Sequence, residues 1–262
     1  MEKTCVFVDG ENLRHAICDL FKDCFEAKDY LPNKANWSDF FDKTTELTNS
    51  PKRFRAYWFT INYLDIFPDS IEKIENIPQT IDFFSRKSTY FLKKYSSMDK
   101  SNKADVEKLI DDTKAFLCKR RDKMKKRFEG WHKVQDAIQT QGNAIEFRRA
   151  GAIRYDCFTD SLGTEKAVDV KLAVDLIKLQ SIYDVAILVS GDQDYVPAVQ
   201  AVKDMGKRVI NICFKNQKGF LLPGGSKHLN KISDSSYAIE YDRMKSFMGL
   251  SKSTLSTASA SS

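Results

Sequence analysis

The 262-residue sequence has no apolar run that approaches the roughly 20 residues needed to span a bilayer. Its N-terminus has neither the basic nor the apolar segment of a secretory signal, so we expect no signal peptide. The six cysteines form no Cys-x-x-Cys pair, and the three histidines lie far apart. These features favour reduced, buried thiols in a cytoplasmic protein and give no sign of a zinc site.

The signatures of several enzyme classes are also missing. No Gly-x-Gly-x-x-Gly follows the first predicted strand and no Gly-Lys-Ser/Thr occurs, which disfavours dinucleotide and P-loop nucleotide binding. We find no Ser-His-Asp or Cys-His arrangement of a nucleophilic enzyme. A haloacid-dehalogenase-type phosphatase would need Asp-x-Asp after the first strand. This chain has Asp9-Gly-Glu11 there, which disfavours that class.

The composition is that of an ordinary globular protein, with 42% hydrophobic and 30% charged residues. The net charge of +6 is mildly basic. Acidic residues gather in short motifs, whereas a basic run occupies residues 119–127. A basic surface around an acidic pocket suits a polyanionic substrate that is handled through metal ions.

Hydrophobic periodicity predicts an α/β fold with a mainly parallel central sheet. The strand–helix–strand order over residues 185–214 is typical of a right-handed crossover between parallel strands. The predicted strands are 6–9, 54–61, 185–189, 207–214 and 237–241. The predicted helices are 13–25, 103–128, 166–179, 196–205 and 228–233. Residues 144–158 fit a strand or hairpin, and residues 28–50 fit either a helix or a loop.

We expect one domain over residues 1–245, with a helical insertion at about 65–145. The segment 246–262 is rich in Ser, Thr and Ala and is expected to be a disordered tail. In the insertion, Lys119, Arg120 and Arg121 begin the basic run and are candidate contacts to a phosphate backbone. The alternative is that this run is a solvated helix face.

Three segments place aspartates beside strand ends or helix starts. Asp9 ends the first strand, Asp169 lies in the first turn of a helix, and Asp192 and Asp194 follow the strand 185–189. Ligands of open α/β sheets bind outside the carboxyl ends of strands. Any one of these aspartates alone fits a helix cap or turn, but three segments in one topology indicate a site. Asp175 is expected to support the site or to be structural.

Carboxylates brought close together repel one another unless a cation lies among them. Hard oxygen ligands suit Mg²⁺ or Mn²⁺, which activate water and stabilise charge on a phosphoryl group. Asn12 and Ser190 are the candidate substrate-binding residues beside these acids. The sequence therefore predicts metal-dependent attack on a phosphodiester.

The motifs resemble those of NYN domains, most closely the LabA-like branch of the PIN-like nuclease superfamily. They are Val8-Asp-Gly-Glu-Asn12, Lys166-x-Val-Asp-Val-x-Leu-x-x-Asp175 and Ser190-Gly-Asp-x-Asp-Tyr195. The resemblance covers about the first 20 residues and residues 150–240. The family usually has Phe at the position of Tyr195, and the stretch from about 65 to 145 departs from its compact core.

The resemblance implies a Rossmann-like three-layer α/β/α fold, an acidic metal pocket and metal-dependent RNA cleavage. The acidic positions of the family match Asp9, Asp169, Asp192 and Asp194, and its motif asparagine matches Asn12. These four aspartates are the predicted catalytic residues and metal ligands.

We therefore expect a ribonuclease that uses Mg²⁺ or Mn²⁺, with RNA favoured over DNA and no membrane partner. One alternative is a non-catalytic RNA-binding or regulatory protein that keeps the fold. Another is a component of a defence or toxin-like system that acts with a protein partner or as a homo-oligomer.

Overall fold

The computed structural model describes residues 2–21, 30–32, 35–75, 78–141, 144–222 and 227–249. Seven strands are found in these residues: β1 (Thr4–Asp9), β2 (Arg53–Phe67), β3 (Ile145–Asp156), β4 (Ser161–Lys166), β5 (Val185–Val189), β6 (Arg208–Phe214) and β7 (Ser235–Ile239). The α-helices of the same residues are α1 (Gly10–Leu20), α2 (Trp37–Leu47), α3 (Pro78–Lys87), α4 (Thr89–Ser97), α5 (Lys103–Thr140), α6 (Val168–Lys178), α7 (Val196–Asp204), α8 (Lys227–Ile232) and α9 (Tyr241–Phe247).

The strands form one sheet in the order β4-β3-β2-β1-β5-β6-β7. β1 pairs in parallel with both β2 and β5, and the pairs β5–β6 and β6–β7 are also parallel. β3 and β4 pair in the antiparallel direction. Every residue of β1 and β5 is buried, as expected for aliphatic strands covered on both faces. The predicted α/β fold with a mainly parallel sheet is confirmed.

The helices flank this sheet because the chain winds outward from its centre in two directions. It passes from β1 through α1 and α2 to β2 on one side, and from β5 through α7 to β6 on the other. Right-handed crossovers that run in opposite directions place their helices on opposite faces. Helix α6 packs on β1 and α7, and α7 packs on β6 and α8.

The chain divides into two compact units, Met1–Asn62 with Trp131–Gly151 and Ala167–Ser262, and Tyr63–Gly130 with Ala152–Lys166. In the first unit, Trp58 makes edge-to-face contacts with Trp37 and Phe41 and stacks on Phe147 at a centroid distance of 4.9 Å. Such aromatic pairs stabilise a core beyond the area they bury.

The second unit has an aromatic core of its own. Phe84 contacts Phe83, Phe91 and Phe158, and Phe83 and Phe158 both contact Phe67. Helices α3 and α4, which bring most of these rings, pack against each other.

Helix α5 extends beyond the predicted end at residue 128 to Thr140. Its buried positions continue as Trp131, Gln135 and Ile138, at the same spacing of three and four residues. The apolar face therefore continues past Gly130, where the sequence alone suggested an end.

Other element bounds also differ from the predictions. Helix α1 starts three residues early, at Gly10, because the Asp9 side chain caps it, and it ends at Leu20. Strand β2 continues to Phe67 instead of ending at 61. Neither β4, a polar strand that forms a hairpin with β3, nor α9 was predicted. The predicted helix residues 22–25 and the expected tail from residue 250 onwards lie outside the described residues.

Within the described ranges, no helix has the length and apolarity to cross a membrane. The cysteines in these ranges, Cys5, Cys18, Cys118, Cys157 and Cys213, are free thiols.

Gly10, the first residue of α1, lies directly against β2. A Cβ atom at Gly10 would lie 2.2 Å from the backbone oxygen of Phe59 and 2.8 Å from the Thr60 side chain. Since backbone atoms of a buried strand cannot rotate away, any larger residue must push α1 off the sheet.

We predict that Gly10→Ala lowers the free energy of unfolding by about 1–3 kcal/mol, the usual cost of overpacking a core. Urea denaturation measures this change. The matched control is Gly130→Ala in α5, where nothing lies within 4 Å of the added Cβ. That variant should be more stable than the parent by about 0.5–1 kcal/mol, because alanine favours a helix over glycine. Equal effects of the two substitutions would contradict the close approach at Gly10.

Candidate active site

The candidate site lies where β1 and β5 end side by side at the centre of the sheet. Val8 of β1 pairs with Val189 of β5, so Asp9 and Ser190 follow at the same level. The sheet order reverses between these strands, because β1 leads to β2 on one side and β5 leads to β6 on the other. Open α/β sheets bind their ligands in the crevice at such a switch point.

Asp9 is held by hydrogen bonds to both of its carboxylate oxygens. The Asn12 backbone N–H donates to Oδ1 at 3.0 Å, which caps α1. The Ser190 hydroxyl donates to Oδ2 at 2.8 Å. Only 3% of Asp9 is exposed, so the carboxylate is fixed in a buried position at the end of β1.

Asp169 lies in the first turn of α6, with its carboxylate close to that of Asp9. Ala167, just before this helix, has a φ of 74°, a left-handed conformation. One oxygen of Asp169 and one of Asp9 lie within 4.8 Å of each other. The Tyr195 hydroxyl links the two residues, since it is 2.9 Å from Asp169 Oδ1 and 3.4 Å from Asp9 Oδ2.

Asp192 and Asp194 lie in the loop and short 3₁₀ turn that follow β5. The Asp192 backbone N–H donates to the Ser190 hydroxyl at 3.0 Å, and the Asp192 carboxylate accepts from the Asp194 N–H at 2.9 Å. Asp192 is half-buried, whereas Asp194 is exposed. The Gly191 N–H donates to Asn12 Oδ1 at 3.2 Å, which ties this loop to α1.

The electrostatics of Asp9 follow from this crowding. Burial raises the pKa of Asp9 from its ordinary 3.8 to about 7, opposed by the hydrogen bonds from Asn12 and Ser190. The negative charges of Asp169 and Asp192 make a smaller contribution to the same rise in pKa. Ionising a buried carboxyl group beside two other carboxylates costs free energy, and a divalent cation bound among them would lower that cost. The donor set of hard carboxylate oxygens therefore fits Mg²⁺ or Mn²⁺.

Asp175, on the same helix as Asp169, makes ion pairs of its own. It is 1% exposed, and its carboxylate accepts from Arg148 and, at 2.7 Å, from the Lys171 ammonium. Arg148 also lies over the Tyr57 ring at 4.2 Å. A buried carboxylate with two cationic partners is compensated, which fits the supporting or structural role expected for Asp175.

The basic run of α5 belongs to the second unit. There, the Arg120 guanidinium donates to the backbone oxygens of Cys157 and Phe158 at 3.0 and 2.7 Å. Arg121 pairs with Glu72 and with Asp122. Lys119 is exposed. Both arginines thus have intramolecular partners, while the lysine side chain is solvated.

Sequence patterns missed two features of the site. Tyr195 was noted only as a departure from a motif, but its hydroxyl contacts two of the predicted acids. The second feature is the contact of the Asn12 side-chain oxygen, which accepts from the Gly191 N–H. The amide nitrogen is the donor group that remains for the substrate-binding role predicted for Asn12.

The raised pKa of Asp9 predicts how stability depends on pH without metal. Between pH 4 and 7 the folded protein keeps the Asp9 proton that the unfolded chain loses, so stability falls as pH rises through this range. The penalty reaches on the order of 4 kcal/mol above pH 7. Urea denaturation in EDTA at pH 5 and pH 8 should show Asp9→Asn gaining stability relative to the parent at the higher pH. A difference that does not change with pH would contradict the raised pKa.

The family model of the NYN domain matches residues 74–222, which is more than half of the chain. This match includes Asp169, Asp192 and Asp194 and begins after Asp9, so it differs from the span of the motif resemblance. A solved structure of a protein of unknown function from Vibrio parahaemolyticus is similar, with 16% identity, coverage of 91% of this chain and 93% of that chain, and a TM-score of 0.41. No curated protein matches the chain. On the extent of the family match, the chain belongs to the NYN domain family, whose members have a PIN-like nuclease fold.

Proposed function

We propose that the protein is a metal-dependent nuclease that hydrolyses phosphodiester bonds, with RNA as its substrate. The observation that carries this proposal is the pair of carboxylates, Asp9 and Asp169, held within 4.8 Å at the carboxyl end of the central strands. Membership of the NYN family supports the nuclease class. The finer LabA-like assignment stays a prediction.

We propose that Asp9 and Asp169 are the main ligands of Mg²⁺ or Mn²⁺, with Asp192 and Asp194 as further acidic ligands. A bound cation would polarise a phosphoryl oxygen and make water a better nucleophile.

The other side chains of the site position the acids and the substrate. Ser190 fixes Asp9 and the Asp192 backbone. Since Asn12 Oδ1 accepts from Gly191, the Asn12 amide N–H groups would donate to a phosphate oxygen. Asp9 is the N-cap of α1, and Asp169 lies in the first turn of α6. The N-terminal dipoles of both helices favour negative charge at this edge of the sheet.

The net charge of +6 suits a polyanionic substrate. We propose Lys119, Arg120 and Arg121 as contacts to the nucleic-acid backbone, with the exposed Lys119 as the freest donor to phosphate. The scattered free thiols fit action in the cytoplasm.

We predict that Asp169→Asn abolishes cleavage, with a loss of at least about 100-fold, because even the loss of an outer-shell partner costs about 10–100-fold. The measurement is cleavage of labelled single-stranded RNA and matched DNA with Mn²⁺, with Mg²⁺ and with EDTA. The matched control is Asp204→Asn in α7, an exposed aspartate that accepts a hydrogen bond from Gln200. This control should cleave like the parent. RNA binding that is unaffected by EDTA and yields no product would contradict the nuclease proposal and favour a non-catalytic RNA-binding protein.

We also predict that Asp192→Asn costs more activity than Asp194→Asn. Asp192 is half-buried and its charge acts on Asp9, whereas the Asp194 side chain is exposed. The same cleavage assay, run over a series of Mn²⁺ concentrations, compares the two variants. A larger loss for Asp194→Asn would show that Asp194 is the principal ligand in this loop.

A further inference from the structure

Among the residues that the structure describes, Tyr195 is the buried hydroxyl donor that contacts both Asp9 and Asp169. Its ring is 0% exposed and belongs to the short 3₁₀ turn between β5 and α7. The hydroxyl lies 2.9 Å from Asp169 Oδ1, a normal hydrogen bond, and 3.4 Å from Asp9 Oδ2, a weaker one. The ring packs in the core, and the hydroxyl is directed at the site.

The hydroxyl has one proton to donate and two carboxylates within reach. Its shorter bond fixes Asp169, while Asp9 Oδ2 already accepts the Ser190 proton at 2.8 Å. Without such donors, two carboxylates whose oxygens lie within 4.8 Å would turn away from each other. The Tyr195 hydroxyl is thus a donor within reach of both acids.

The same contact leaves part of Asp169 available. Its Oδ2 atom accepts no hydrogen bond from the part of the chain that the structure describes, whereas Oδ1 is engaged by Tyr195. Asp169 thus has one oxygen held by the protein and one open to a ligand. Outer-shell groups that orient metal-binding carboxylates in this way strongly influence metal affinity.

We propose that Tyr195 is a positioning residue, whose hydroxyl holds the Asp9 and Asp169 carboxylates at the spacing needed to share one divalent cation. Tyr195 is not itself a ligand, because a phenolate there would add a third negative charge to a buried acidic cluster. This inference rests on the proposed metal-dependent function.

The test is direct Mn²⁺ binding by isothermal titration calorimetry to metal-stripped protein. We expect Tyr195→Phe to weaken Mn²⁺ binding by about tenfold or more, the usual effect of losing an outer-shell partner. The phenyl ring keeps the packing, so the variant should unfold cooperatively in EDTA. Asp169→Asn, which removes a proposed ligand, should bind no Mn²⁺ in the same range.

The matched control is Tyr183→Phe. Tyr183 is 1% exposed, lies in the same unit, and donates to the Leu176 backbone oxygen at 2.6 Å. This variant also loses one buried hydroxyl hydrogen bond, but away from the acids. It should bind Mn²⁺ like the parent even where its stability falls, which separates a metal-positioning role from a merely structural one.

The outcomes separate the two proposals. If the parent binds Mn²⁺ and Tyr195→Phe binds it equally well, the positioning role is wrong and the proposed metal site stands. If the parent binds neither Mn²⁺ nor Mg²⁺, both are wrong. Should Tyr195→Phe fail to fold, 3-fluorotyrosine labelling of the parent gives a second test by ¹⁹F NMR. The Tyr195 signal should then shift on Mg²⁺ addition, and an unchanged signal under saturating Mg²⁺ would overturn the role.

Discussion

The parallel pairing of β1 with β5 is the constraint on which the site depends. Paired parallel strands lie about 4.8 Å apart, so residues at the same level after both strands are held close together. The register that pairs Val8 with Val189 places Asp9 beside Ser190. A slip of one residue would turn Asp9 to the other face of the sheet. The pairing of the two aliphatic strands therefore determines the position of the candidate site.

The electrostatic repulsion among the carboxylates at this point is partly offset by hydrogen-bond donors from several structural elements. Burial and the neighbouring charges of Asp169 and Asp192 raise the pKa of Asp9, while hydrogen bonds from Asn12 and Ser190 oppose that rise. The Tyr195 hydroxyl adds a donor that contacts two acids. The balance leaves a site that is held in shape by the protein and that the proposed cation would complete electrostatically. Asp175 shows the opposite solution, because Arg148 and Lys171 neutralise it within the protein.

Much of the architecture could be predicted from local sequence. The buried strand Val185–Val189 was predicted at its observed bounds, and the parallel βαβ arrangement that follows it was also predicted. Errors arose where a boundary depends on packing. The long helix α5 continues past Gly130 because its buried face continues, and α1 begins at Gly10 because the Asp9 side chain caps it. The polar strand β4 has no hydrophobic alternation of its own and is specified by pairing with β3.

The sequence by itself determined the fold class, the segments that carry the acids and the family, because buried strands and motif spacing are local patterns. It did not determine which acids meet. Asp169 and Asp175 lie six residues apart on one helix, yet one contacts Tyr195 and the other pairs with Arg148. Likewise, the bond from Ser190 to Asp9 joins residues 181 positions apart. Only the tertiary structure decides such partners, because they follow from strand order and register, which bring distant residues together.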